Sequence, residues 1–135
     1  VEMVPLREEI DFVRKYLDLE KERFQERLEI DIDVDDAILN DMVPPMLIQP
    51  LVENSIKHGL ASLIKGGKIT ISVHEKKGKL AFEITDSGIG IENKDTIFEK
   101  GIGLTNTRLR LEKMYHSNLK LSDNVPQGLK INFEL

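Results

Sequence analysis

The chain has 135 residues, the size of one ordinary domain, and 40% of them are hydrophobic; with only 5% aromatic residues and no Trp, any core must be built mainly from Ile, Leu and Val. A formal charge of −5 argues against the basic face that nucleic-acid binding needs and suits a small ligand. The lack of Cys excludes disulfides and thiolate metal sites, and no apolar run reaches the roughly 18 residues that span a bilayer.

Leu6, Ile10, Val13, Leu17 and Phe24 recur at steps of three and four with a gap at Glu20, which predicts an amphipathic helix. Pro5, Glu8 and Glu9 suit its first turn. The chain opens on Val1 inside this pattern and is expected to be a piece of a longer protein with membrane-bound parts. "EIDIDV" (29–34) alternates and reads as a half-buried strand. "DDAILNDMVP" is a polar connection. Pro45 to Gly59 has a helical period, with Pro50 opening or kinking a helix and Gly59 as its C-cap.

"ITISVHE" and "KLAFEIT" alternate around "KKGK", a hairpin signal. "DSGIGIENKDTIFEKGIG" is too glycine-rich for regular structure. "LTNTRLRLEKMY" returns to a helical period through Leu104, Leu109, Leu111 and Met114, and "LKLS" and "LKINFEL" are strands around "DNVPQG". The order predicts a two-layer α/β (α+β) sandwich: a mixed, mostly antiparallel sheet with about three helices on its packed face.

Three stretches carry chemistry. In "LVENSIKHG", at about 100° per residue, Leu51, Val52 and Ile56 share a face with Leu47 and Ile48, while Glu53, Asn54, Lys57 and His58 fall on the other. This is either a solvated face, with Glu53 and Lys57 as an i, i+4 pair, or a site in which the Asn54 amide oxygen meets a hard cation such as Mg²⁺. "ITDSGIGI" ends a strand at Asp86 and turns through Gly88 and Gly90. It is either a surface turn or a place where backbone approaches a flat ligand and Asp86 accepts from an exocyclic amine. "GIGLTNTR" leads from Gly101 and Gly103 into a helix whose first turn carries Asn106 and Arg108. It is either a plain helix start or an anion site. It lacks the signatures of a P-loop and of a Rossmann fingerprint.

The three stretches in this order resemble the Bergerat ATP-binding fold of the GHKL superfamily, which includes gyrase, heat-shock chaperone, histidine kinase and MutL. "PPMLIQPLVENSIKHG", "GIGLTNTRLRLEKMY" and "PLREEIDFVRKYLDLEKERF" are similar to the autolysin-sensor (LytS) type of sensor histidine kinase, and the likeness covers nearly the whole chain.

The resemblance implies ATP and Mg²⁺ as cofactors. Asn54 would bind the Mg²⁺ that bridges the phosphates, Glu53 would polarise a water or the attacking group, Lys57 would neutralise phosphate and His58 would border the nucleotide. Asp86 would read the adenine amine, Gly88 and Gly90 would line adenine and ribose, and Gly101, Gly103, Leu104, Asn106 and Arg108 would meet the triphosphate. Residues 92–100 would form a short lid tethered by Ile97 and Phe98.

The resemblance also implies a division into an N-terminal helix (1–28), leading from a dimerisation segment, and an ATP-binding catalytic domain (29–135). It places the phosphoacceptor histidine on that segment, outside this chain, so His58, His74 and His116 are not acceptors. The implied partners are the chain's own dimerisation segment and a response regulator, with no nucleic acid. The implied setting is the cytoplasmic side of a membrane-anchored homodimer. Two positions depart from the wider pattern: Pro50 stands where many members have a polar residue, and Leu129 follows Gly128 where many have a threonine that helps a water reach adenine. The rival readings are an anti-sigma-factor-like serine kinase and a nucleotide-binding module without transfer activity.

Overall fold

A computed structural model describes residues 2–60, 66–88 and 102–135. Its elements, in chain order, are β1 (Val4–Pro5), α1 (Leu6–Phe24), β2 (Leu28–Val34), β3 (Met42–Val43), α2 (Gln49–Asn54), a π-helical turn (Ser55–Leu60), β4 (Gly67–Lys76), β5 (Lys79–Asp86), α3 (Ile102–Tyr115), β6 (Lys120–Asp123) and β7 (Leu129–Glu134). Five strands form one sheet in the order β2-β4-β5-β7-β6. The β2–β4 pair is parallel and the other pairs are antiparallel. The predicted mixed sheet under three helices is therefore the observed architecture.

Strand alternation sets the two faces. Ile71, Ile84 and Ile131 lie on one rung, and Val73, Phe82 and Phe133 on the next, all buried. Phe82 and Phe133 stack with centroids 4.6 Å apart, an arrangement worth about 1 kcal/mol beyond area burial. Ser72, His74, Glu83 and Asn132 point to the half-exposed face. There the His74 ring sits 3.1 Å from Asp35 and 3.2 Å from Asp33, and the bond to Asp35 leads the effects that raise its pKa. Lys77 and Gly78 join β4 to β5 with φ of 53° and 80°. Two successive positive φ values are what a tight two-residue hairpin requires.

The predicted apolar stripe of α1 is buried throughout, from Leu6 to Phe24, and joins the same core as the sheet and α2. Two long-range clamps then fix the chain between β3 and α2. Buried Glu9 of α1 accepts from the N–H of Met46 (3.0 Å) and of Leu47 (2.9 Å). Arg110 of α3 donates to the carbonyls of Pro45 (2.7 Å) and Met46 (3.0 Å). This corrects the expectation of a helix from Pro45. Residues 45–48 form a turn with Met46 at φ 58°, and the helix starts at Gln49 with Pro50 in its first turn.

Two further readings are corrected. Gly59 lies inside the π-helical turn rather than capping a helix. On α3 the buried positions are Leu104, Thr107 and Leu111, whereas Leu109 and Met114 are exposed. The seam of α3 therefore follows i, i+3, i+7 from Leu104, and a hydroxyl occupies its middle place.

Glu9→Ala would leave the buried N–H of Leu47 and the part-buried N–H of Met46 without their acceptor, so it is expected to destabilise the fold by about 1–3 kcal/mol. Urea denaturation compared with the wild type measures this.

Candidate functional site

The alternation that buries Phe82 and Ile84 continues to Asp86, which therefore enters the packed face at the end of β5, opposite Ile69. Only 1% of Asp86 is exposed. Its Oδ1 accepts the N–H of Gly88 at 2.8 Å, and its backbone carbonyl accepts from Asn124 Nδ2 at 3.0 Å. Burial raises the pKa of the carboxyl; the Gly88 N–H, the Ser55 hydroxyl and the Leu129 N–H each counter that rise.

Three glycines make this approach possible. A Cβ at Gly59 would stand 3.0 Å from Asp86 Oδ1, so the π-helical turn presents a bare backbone to the carboxyl. A Cβ at Gly88 would strike the carbonyl of Gly59, and one at Gly128, where φ is +112°, would strike the carbonyl of Asp86. Gly88 thus has a packing reason to lack a side chain, besides any approach to a ligand.

The π-helical turn also re-phases the polar residues of "LVENSIKHG". Asn54 is buried at 8% exposure and Ser55 at 1%, whereas Lys57 and His58 are exposed. A regular helical wheel puts Asn54 on the side of Lys57 and His58; the fold draws it inward. π-Turns inserted in helices occur often at functional sites.

Glu53 is half-buried and turns toward α1. It accepts from Gln49 Nε2 at 3.2 Å, and among the described residues it forms no ion pair with Lys57. Its charge, after burial and the charge of Glu20, helps push the Tyr16 pKa up to about 12. Tyr16 Oη and Gln49 Oε1 are both buried here without a well-formed hydrogen bond. Sequence reading missed Tyr16, Gln49, Ser55 and Asn124. Tyr16 and Gln49 sit on stretches whose period signals only packing, and Asn124 reaches Asp86 across 38 residues.

Gly103 and Leu104 lie in the first turn of α3, with Leu104 fully buried; Asn106 is exposed and Arg108 half-buried. Because α3 packs against α2, Leu104, Asn54 and Asp86 belong to one region. Gly90, Gly101, residues 92–100 and the Ile97–Phe98 pair lie outside the described residues. A separate cavity of about 660 Å³ is lined by His74, Glu83, Tyr115, His116 and neighbours and includes none of the predicted site residues.

Over residues 45–135 the sequence matches the family described as "Histidine kinase-, DNA gyrase B-, and HSP90-like ATPase". The chain belongs to that family. It is 32% identical to the sensor histidine kinase YesM of Bacillus subtilis over 98% of its own length and 22% of YesM. It is 35% identical to the sensor protein LytS of Enterococcus faecalis over 84% of its length and 21% of LytS. It therefore spans only about a fifth of these relatives. Its fold matches the catalytic domain of histidine kinase ThkA with a TM-score of 0.78 at 20% identity, covering 99% of this chain and 95% of that one. It matches the Acinetobacter baumannii histidine kinase AdeS with a TM-score of 0.77 at 17% identity, covering 99% and 66%. The chain is an ATP-binding domain of the sensor histidine kinase type.

The pKa of Asp86 makes a signed prediction. The folded pKa lies above the ordinary aspartate value of 3.8, so the folded state binds the proton more tightly than the unfolded chain. The buried charge therefore costs stability above the folded pKa, and the cost is relieved as pH falls toward the unfolded value. Asp86→Asn lacks this term. Wild type is expected to gain stability relative to Asp86→Asn between neutral and mildly acid pH, as measured by paired denaturant titrations.

Proposed function

We propose that the domain binds Mg·ATP and presents the γ-phosphate to a histidine on a dimerisation segment, from which the phosphoryl group passes to a response regulator. The observation that carries the reading is Asp86: a carboxylate held 1% exposed at a strand end, against the bare backbone of Gly59. Such a group is a costly structural element and a well-placed acceptor for the exocyclic amine of adenine. Gly88 and Gly90 would border the base and ribose, and His58 would flank the nucleotide.

Among the described residues no group of three or more His, Asp or Glu could hold a metal by itself. The donor set therefore fits a cation that arrives with the triphosphate. Asn54, inward-turned at the end of α2, offers one amide oxygen, and Mg²⁺ characteristically keeps phosphate and water ligands around one or two protein oxygens. When bound, the ion would neutralise charge that develops on the phosphates.

The chain's own groups would do the rest. Lys57, exposed on the π-helical turn, would pair with phosphate oxygens. Gly101, Gly103, Leu104, Asn106 and Arg108 would hold the triphosphate at the start of α3. Glu53 would polarise a water or the attacking group. Phosphoryl transfer depends on positioning and charge compensation more than on covalent help from the protein. The Pγ–O bond to ADP breaks as a bond to the acceptor imidazole nitrogen forms.

The N-terminal residues 1–28 would link the catalytic portion, 29–135, to the dimerisation segment. Residues 92–100 would act as the lid, tethered by Ile97 and Phe98. The parent protein would be a membrane-anchored homodimer with this domain on the cytoplasmic side. No helix among the described residues is long and apolar enough to cross a membrane.

Asp86→Asn is expected to weaken ATP binding about tenfold to a hundredfold, as for a lost hydrogen bond to a charged group, while the protein stays folded. Unchanged affinity in titration calorimetry would refute the assignment. Asn54→Ala is expected to remove the Mg²⁺ dependence of ATP binding, and retained dependence would move the metal ligand elsewhere. Phosphotransfer by a longer protein that includes the acceptor histidine tests the transfer step.

A further inference from the structure

The ladder between β5 and β7 stops one pair short of where its register leads. Leu80 and Leu135 exchange both of their backbone hydrogen bonds, and in an antiparallel pair such exchanges recur at every second residue. Along the register that ends at Thr85–Lys130, the next exchanging pair would be Asp86 and Leu129. That exchange is not completed. The Leu129 N–H donates to the Asp86 carboxyl instead, and the Asp86 backbone carbonyl accepts from Asn124 Nδ2 at 3.0 Å.

Asn124 is built into the turn that makes this possible. Its own N–H donates to the Gly128 carbonyl at 3.0 Å and closes the β6–β7 turn. Its Nδ2 also donates to the Gln127 carbonyl at 3.3 Å, so the two amide protons serve two acceptors. Gly128, which has no Cβ, lets the turn lie directly on the Asp86 carbonyl. A residue of the turn thus gives the end of β5 the hydrogen bond that β7 would give it in a regular ladder.

We propose that Asn124 is a positioning residue for the nucleotide site: it takes the Asp86 carbonyl and so frees the Leu129 N–H to hold the Asp86 carboxylate in the orientation that meets the ligand. The inference rests on the ATP reading above and deepens it. A backbone N–H has one proton to give. Without Asn124 the Asp86 carbonyl would lack a donor while an N–H stands beside it in ladder register, and carbonyls inside a fold seldom stay unpaired. The Leu129 N–H would then complete the ladder, and the carboxylate would lose it. Asn124 therefore acts through Leu129 and Asp86 rather than by contact with the nucleotide. A residue that only closed the turn would change stability and leave the carboxyl as it was.

The test uses this chain, wild type and Asn124→Ala, with two readouts. Carbon NMR follows the titration of the Asp86 carboxyl without ligand. It is expected at higher pH in Asn124→Ala, because one of the donors that counter burial is gone. Calorimetry then compares Mg·ATP with the purine riboside triphosphate in which hydrogen replaces the exocyclic amine. Asn124→Ala is expected to bind ATP about tenfold more weakly and to bind the amine-free analogue as wild type does. In an Asp86→Asn background the same change should cost nothing further, because residues acting as one unit are not additive. Every variant keeps the backbone bond that closes the turn. Should Asn124→Ala still melt too early to titrate, Asn124→Ser, with one hydroxyl donor in place of two amide protons, carries the same comparison. An unchanged Asp86 titration, or an equal loss with both nucleotides, overturns the role of Asn124 and leaves ATP binding standing. Failure of the wild type to bind ATP overturns both readings.

Discussion

The site depends on a close approach between the backbone of the Ser55–Leu60 turn and the end of β5. Gly59 meets the Asp86 carboxyl, Gly88 meets the Gly59 carbonyl, and Gly128 meets the Asp86 carbonyl. A single Cβ at Gly88 or Gly128 would force backbone apart. With the contact in place, helix and sheet hold a carboxylate, a hydroxyl and an amide on neighbouring positions. The charge is affordable because N–H groups of Gly88 and Leu129 face it, as buried charges require.

That contact needs its helix held at the right depth, and the rest of the fold supplies this. Glu9 and Arg110 grip the turn at 45–47 from opposite sides, one through its N–H groups and the other through its carbonyls. The start of α2 is therefore tied to both α1 and α3. Leu51, Val52, Ile56 and Leu60 then seat it in the common core. Helix α1 thus belongs to the packing of this domain and reaches the neighbourhood of Glu53 through Tyr16.

Periodicity carried most of the architecture. The strands over 29–34, 69–75, 79–85 and 129–135 lie where alternation put them, and the stripe from Leu6 to Phe24 is buried along its length. Where the reading failed, a local pattern met a tertiary demand. The Pro45 to Gln49 stretch is helical in period, yet the Glu9 side chain, distant in sequence, captures the N–H groups of Met46 and Leu47 and holds a turn. On α3 two of the four apolar residues that suggested its face are exposed, because Thr107 takes the middle of the seam. The sequence left Asp86 open between a surface turn and a ligand site; in the structure the period-2 pattern of Phe82 and Ile84 continues to it and puts it on the inner face.

The sequence by itself determined the element order, the mixed sheet, the family and the identity of the polar residues in the three motifs, because these follow from hydrophobic period, turn chemistry and motif spacing. Only the tertiary structure decided which polar groups come together. It turned Asn54 and Ser55 inward while leaving Lys57 and His58 exposed, aimed Glu53 at α1, and brought Asn124 and Leu129 to Asp86. The physical reason is that a one-residue change in helical phase, or one close backbone approach, redistributes side chains between core and solvent. Neither event leaves a periodic trace in the chain.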